Sequence, residues 1–231
     1  ALRRERGDLA REMDRLAKGL QDLPAAGLAD RDAASRDIGL HERIASCERR
    51  TASVEARLEE LGIADNTLII FSSDNGPHQE AGADPAYFHS NGGLRGIKRD
   101  LYEGGMREPM IASWPGQVKP GTSSDLPSAF WDVLPTMAEL TGQPVPVPVD
   151  GISFLPTLLG KKGQKQHDYL YWEFHEKKGR IAIRQGQWKA VRYNVSLDPA
   201  SPLELYDLSA DLGETNNIAK AHPDVVARLD A

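Results

Sequence analysis

Two kinds of hydrophobic spacing divide the chain. Over residues 1–23, Leu2, Leu9, Met13, Leu16, Leu20 and Leu23 recur at steps of seven, four, three, four and three, with charged residues between them. That is the heptad seam of a packed helix. Pro24-Ala25-Ala26-Gly27 ends the run. A second seam follows at Leu40, Ile44, Cys47, Thr51, Val54, Leu58 and Leu61. The two stripes predict a helical hairpin over residues 1–62 whose apolar faces meet. Cys47 lies on the second stripe, which reads as a packing position rather than a nucleophile. Gly62 suits a helix C-terminus, and Asp65-Asn66 a turn out of it.

After the turn the period changes. Thr67-Leu68-Ile69-Ile70-Phe71 is a continuous apolar run, which predicts a strand buried on both faces, as in a parallel sheet. Met110–Trp114 reads as the next buried strand, closed by Pro115-Gly116. Phe130, Val133, Leu134, Met137 and Leu140 have helical spacing and read as core, with Pro135 expected to kink or shorten the helix. Pro144-Val145-Pro146-Val147-Pro148 is a stiff connector. From about residue 166 the pattern alternates. Tyr169–Phe174, Arg180–Arg184, Gln187–Tyr193 and Leu203–Asp207 read as strands, the middle pair a hairpin turning at Gln185-Gly186, and Pro223–Leu229 as a closing helix. The fold class is therefore α/β, in three parts: a heptad-patterned hairpin over 1–62, a middle part over 63–165 that holds the apolar strands and the helix, and a small antiparallel sheet plus helix over 166–231.

Composition removes some functions. The 231 residues carry a net charge of −6, which argues against nonspecific nucleic-acid binding. No apolar run is long enough to span a bilayer, and the N-terminus lacks a signal-peptide core. A single cysteine excludes an intrachain disulfide.

The candidate chemistry lies between residues 67 and 109. Asp74 and Asn75 follow the first strand, where ligands bind in open α/β sheets. A carboxylate and an amide oxygen are hard donors suited to calcium or magnesium. Lys98 sits among Gly92, Gly93, Gly96, Gly104 and Gly105, where glycine allows close approach to a ligand. A metal site beside such a lysine suits a sulfate or phosphate ester. Arg95 is either a salt-bridged loop residue or a second anion clamp. His78 is either a substrate contact or a partner in a loop hydrogen bond, and His175 either faces the cleft or is structural. Glu103 reads as a brace for the loop that carries Lys98.

Three segments then carry a family resemblance: LGIADNTLIIFSSDNGPH (61–78), GGLRGIKRDLYEGGMREPMIASWPG (92–116) and LELYDLSADLGETNNIA (203–219). Together they resemble the C-terminal half of a sulfatase, an arylsulfatase-like member of the alkaline-phosphatase-like superfamily, over roughly residues 55–231. The resemblance implies the second half of a sheet sandwiched by helices. It also implies a calcium ion held by Asp74 and Asn75, with Lys98 on the sulfate of a sulfated small molecule or glycan, and it favours a periplasmic or secreted enzyme. Two features of the family are absent from this sequence. The formylglycine motif C/S-x-P-S/A-R has no counterpart, since Cys47 is followed by Glu48-Arg49-Arg50, and there is no Asp-Asp pair. The chain alone is therefore expected to be an inactive part of a sulfuric ester hydrolase. The alternatives are a phosphatase or phosphodiesterase of the same superfamily, and a non-catalytic relict with a helical assembly module.

Overall fold

The computed structural model describes residues 45, 46, 48–145 and 147–230. The chain divides into two compact units, the first ending at Thr67 and the second beginning at Leu68. Of the predicted hairpin, the first stripe together with Leu40, Ile44 and Cys47 lies outside the described residues. The rest of the second stripe is helical over 48–60 (α1). The helix stops where Gly62 takes a left-handed φ of 67°. There the Gly62 N–H donates to Glu59 O at 2.9 Å and the Ile63 N–H to Leu58 O at 3.0 Å, the paired closure that glycine permits at a helix end.

The second unit holds two antiparallel sheets. In the smaller, Ile69–Ser72 (β1) pairs with Met110–Ser113 (β2) from Ile69 opposite Ser113 to Ser72 opposite Met110. This corrects the expectation of a parallel, doubly buried strand. The neighbour runs the other way, and Phe71 and Ile111, which face each other across the ribbon, are 61% and 64% exposed. An unbroken apolar run records that a strand is meant to be covered; it carries no information on the direction of its neighbour.

The larger sheet follows the sequence pattern closely. Leu170–Phe174 (β3), Arg180–Gln185 (β4), Trp188–Tyr193 (β5) and Leu203–Asp207 (β6) pair in that order, each antiparallel to the next. Gln185 pairs with Trp188, so the hairpin turns on Gly186-Gln187, with Gly186 at φ 59°. Consecutive side chains point to opposite faces, and both faces are covered. Val191, Ala182 and Tyr206 pack with Leu101, Tyr102 and Leu208, whereas Ala190 and Leu205 pack with Val225 and Leu229 of helix Pro223–Leu229 (α5).

Along the chain Glu103–Met106 (α2) lies between β1 and β2, and Val133–Thr141 (α3) and Leu155–Leu158 (α4) lie between β2 and β3. Pro135 shortens α3 rather than kinking it: the helix starts at Val133, which puts Pro135 in the first turn, where no intrahelical N–H is required. Gly142 closes it at φ 66°. The stripe read as core is only partly so. Phe130 and Leu134 are exposed, and Pro135, Thr136 and Ala138 are the buried positions. Asp132, fully enclosed, ties this region together by accepting from the Ala129 and Ile152 N–H groups, each at 2.8 Å, and by facing His167 Nε2 at 2.8 Å.

Candidate active site

The site is set by backbone packed on backbone. After β1 the chain turns sharply: Ser72 Oγ donates to Pro109 O at 2.9 Å, and Ser73 Oγ to Asn75 O at 2.9 Å. Gly76 then meets the Gly104-Gly105 stretch. The Gly76 N–H donates to Gly105 O at 3.1 Å, and the Lys98 N–H to Pro77 O at 2.9 Å. A β-carbon at Gly76 would stand 2.0 Å from Gly104 O, and one at Gly104 would stand 2.4 Å from Gly96 O. No side chain fits in either place. The glycines thus let the turn bearing Asp74 and Asn75 lie directly on the loop bearing Lys98.

The loop is anchored from behind by the larger sheet. Arg180 Nη1 reaches Asp100 Oδ1 at 2.6 Å. Lys189 Nζ, wholly buried, lies 2.8 Å from Glu103 Oε1 and 3.0 Å from Glu214 Oε1. Glu214 Oε2 also accepts the Glu103 N–H at 2.6 Å. Burial alone would raise Glu103, but the charge and hydrogen bond of Lys189, with Arg184 and Arg107 behind them, hold its carboxyl below the ordinary value. Glu214 lies above its ordinary value because burial outweighs the pull of Lys189. Glu103 is therefore the brace that its position in the sequence suggested, but its partners come from residues 86 and 111 positions further along.

A cavity of about 520 Å³ opens over this platform, and Asp74, Asn75 and Lys98 all line it. Asn75 Nδ2 donates to Gly76 O at 3.1 Å, which orients its amide. Lys98 Nζ stands 3.6 Å from Glu80 Oε2, and Arg99 Nη1 stands 2.7 Å from Glu80 Oε1. The Arg99 hydrogen bond and charge, followed by the charge of Lys98, hold Glu80 below its ordinary value. Beside the polar end is an aromatic wall that includes Trp131 and Trp172, whose ring centroids lie 5.8 Å apart.

The structure brings in one acid that sequence reasoning missed. Glu108 precedes β2 as Asp74 follows β1, so both stand at the same end of the ribbon, and both line the cavity. Its Oε1 is buried with no hydrogen-bond partner. Burial and then the charge of Asp74 raise its carboxyl above the ordinary value. Asp74, Asn75 and this orphaned oxygen are hard donors that fit a divalent cation. Among the described residues no three His, Cys, Asp or Glu side chains converge into a cage, so these donors alone would not complete a coordination shell.

Two expected site residues do not line the cavity. Arg95 stays exposed but is engaged elsewhere: its Nη1 donates to Tyr206 Oη at 2.7 Å and to Glu214 O at 3.0 Å, and its guanidinium lies 3.7 Å from the Tyr102 ring centre. His78 takes the loop hydrogen bond, with Nδ1 accepting the Glu80 N–H at 3.0 Å. His175 is solvent-exposed, 3.4 Å from Glu173 Oε2.

Comparison with known proteins gives the family. Residues 96–230 match the family described as N-sulphoglucosamine sulphohydrolase, C-terminal, and residues 46–143 match the family described as sulfatase. The chain belongs to the sulfatase family. It is 37% identical to human arylsulfatase A over 198 residues, a match that covers 74% of this chain and 38% of that protein. To the N-acetylgalactosamine-6-O-sulfatase of Bacteroides thetaiotaomicron it is 39% identical over 193 residues, covering 74% of this chain and 36% of that enzyme. Among solved structures it is similar to Ps i-CgsB in complex with k-i-k-neocarrahexaose, with 29% identity, a TM-score of 0.64, and coverage of 77% of this chain and 38% of that one. This sulfatase chain thus spans less than half the length of the relatives it matches.

Proposed function

We propose that the chain is the anion-gripping portion of a hydrolase of sulfate esters. The observation that carries this reading is the backbone contact of Gly76 and Pro77 with Gly105 and Lys98, which turns Asp74, Asn75 and Lys98 toward one cavity. Asp74 and Asn75 would hold a calcium ion, with magnesium as the substitute, and Lys98 would set its ammonium toward the sulfate oxygens. When bound, the ion supplies positive charge against which a sulfate ester is oriented and polarised. The ammonium adds charge from a fixed position, the kind of arrangement that stabilises a transition state as negative charge develops. The aromatic wall gives the alcohol portion of the ester an apolar surface. A sulfated small molecule or glycan fits such a cavity, and the saccharide bound to Ps i-CgsB supports the glycan.

No cysteine or serine here stands in the formylglycine motif. The chain by itself is therefore expected to bind sulfate without cleaving sulfate esters. Calorimetric titration with phenyl sulfate in the presence of calcium tests the grip. Binding should weaken at least tenfold on Lys98→Ala, a loss of about 1.4 kcal/mol. Binding unchanged in that variant would overturn the reading.

A further inference from the structure

Lys98 is not the only cation on its wall of the cavity. Arg99 lines the same wall, and its φ of 77° lies in the left-handed region that residues with side chains seldom enter. Such a conformation persists only where the surroundings impose it, and it gathers at binding sites. The Asp100 N–H donates to Ile97 O at 2.8 Å, and the Ile97 N–H donates back to Asp100 Oδ2 at 3.1 Å. From the larger sheet, Arg180 Nη1 donates to Arg99 O and reaches Asp100 Oδ1 at 2.6 Å. The turn thus holds two adjacent cationic residues, and both open on the cavity.

One carboxylate spans the pair. Glu80 sets Oε1 2.7 Å from Arg99 Nη1 and Oε2 3.6 Å from Lys98 Nζ. A short turn positions it, with the Glu80 N–H donating to His78 Nδ1 at 3.0 Å. Glu80 stands outside the cavity lining, so an anion in the cavity and Glu80 compete for the same donors. The Glu80 side chain is 51% exposed, and an ion pair so open to water contributes little. A sulfate monoester offers several oxygens that match a guanidinium fork. We propose that Arg99 is a second sulfate-binding residue beside Lys98, and that Glu80 competes with the substrate for both cations. The guanidinium clamp is then Arg99 and not Arg95, whose Nη1 is committed to Tyr206 and Glu214. This rests on the sulfate-ester reading of the cavity.

Calorimetric titration of the 231-residue chain with phenyl sulfate, in calcium and at low, fixed ionic strength, is the test. Arg99→Gly keeps the left-handed turn, because glycine adopts that φ freely, and should weaken binding by about fivefold or more. Glu80→Gln should strengthen binding by about two- to fivefold, the size of one exposed ion pair. A gain in affinity cannot come from misfolding, so this arm stands even if Arg99→Gly disturbs the turn. In the double variant most of that gain should vanish, since Arg99 is the nearer cation to Glu80. Affinity unchanged in Arg99→Gly, affinity unchanged or weakened in Glu80→Gln, or a gain kept in full by the double variant would each overturn the proposal. The two readings fail separately. Binding that depends on Lys98 but ignores Arg99 and Glu80 sinks the second clamp alone, and binding that depends on Arg99 and Glu80 but survives Lys98→Ala sinks the site as first drawn.

Discussion

Replacing Lys189 by Met should be among the most damaging single changes to the second unit. The ammonium is wholly buried, 2.8 Å from Glu103 Oε1 and 3.0 Å from Glu214 Oε1, and both acids are themselves enclosed. Methionine keeps the volume but leaves two carboxylates facing each other without their shared cation. Removing one partner of a buried ion pair costs about 3–5 kcal/mol. Arg107, 3.3 Å from Glu103 Oε2, keeps some of the attraction and argues for the lower half of that range. Against a total stability of about 5–15 kcal/mol this is a large fraction. Urea titration followed by tryptophan fluorescence reads it, since Trp114, Trp131, Trp172 and Trp188 all lie in the second unit. With a slope of about 2 kcal/mol per molar, the midpoint should fall by roughly 1.5–2 M. The pH dependence supplies a check. In the unaltered chain Glu103 sits below its ordinary value, so its contribution is present above the unfolded pKa and lost as pH falls through the folded one. In the variant both carboxylates lie above their unfolded values, so the penalty is full near neutrality and relieved as they protonate, toward about pH 4.5. A midpoint shift under about 0.5 M, corresponding to less than about 1 kcal/mol, would refute the reasoning. So would a penalty of equal size at both pH values.

Other perturbations separate the scaffold from the grip. Gly104→Ala should lower stability by about 1–3 kcal/mol and weaken phenyl sulfate binding together with it, because the new methyl group must displace Gly96 O; thermal melts and calorimetry read the two effects. Arg95→Ala should cost about 1–3 kcal/mol through the lost bonds to Tyr206 and Glu214, while sulfate affinity of the folded fraction stays unchanged in calorimetry. Calcium should bind the chain weakly, with a dissociation constant of about 10⁻⁴–10⁻³ M suited to a partial oxygen shell. Terbium luminescence should lose that binding on Asp74→Ala. Asp132→Ala should destabilise by about 2–4 kcal/mol, since it leaves two backbone N–H groups and His167 unpartnered at once; chemical denaturation measures it.

What could be read in advance follows from how local each signal is. The strands β3 to β6 and their turn were legible because alternation and Gly186 act within a few residues of each other. Asp74, Asn75 and Lys98 were legible as chemistry between glycines, but the reason they share a cavity, Gly76 lying on Gly104, joins parts of the chain far apart in sequence. Arg95 stayed open between a salt-bridged loop residue and an anion clamp for the same reason. A guanidinium fork suits sulfate-like oxygens, whereas the partners that engage it, Tyr206 and Glu214, are more than a hundred residues away. Glu108 gave no signal between Arg107 and Pro109, and its isolation is evident only in three dimensions. Lys189 left a faint trace: it occupies an inward position of β5, on the face of Val191, where the pattern calls for an apolar side chain.

The contact of Gly76 with Gly104 and Gly105 bears on how such a protein can diversify. Because polypeptide atoms fix the spacing between the acidic turn and the loop that carries Lys98, the aromatic residues around the opening can be exchanged without disturbing it. A library randomised at Trp131 and Trp172 should therefore yield altered preference for the alcohol while retaining inorganic sulfate affinity, and directed evolution has a natural division of labour to exploit.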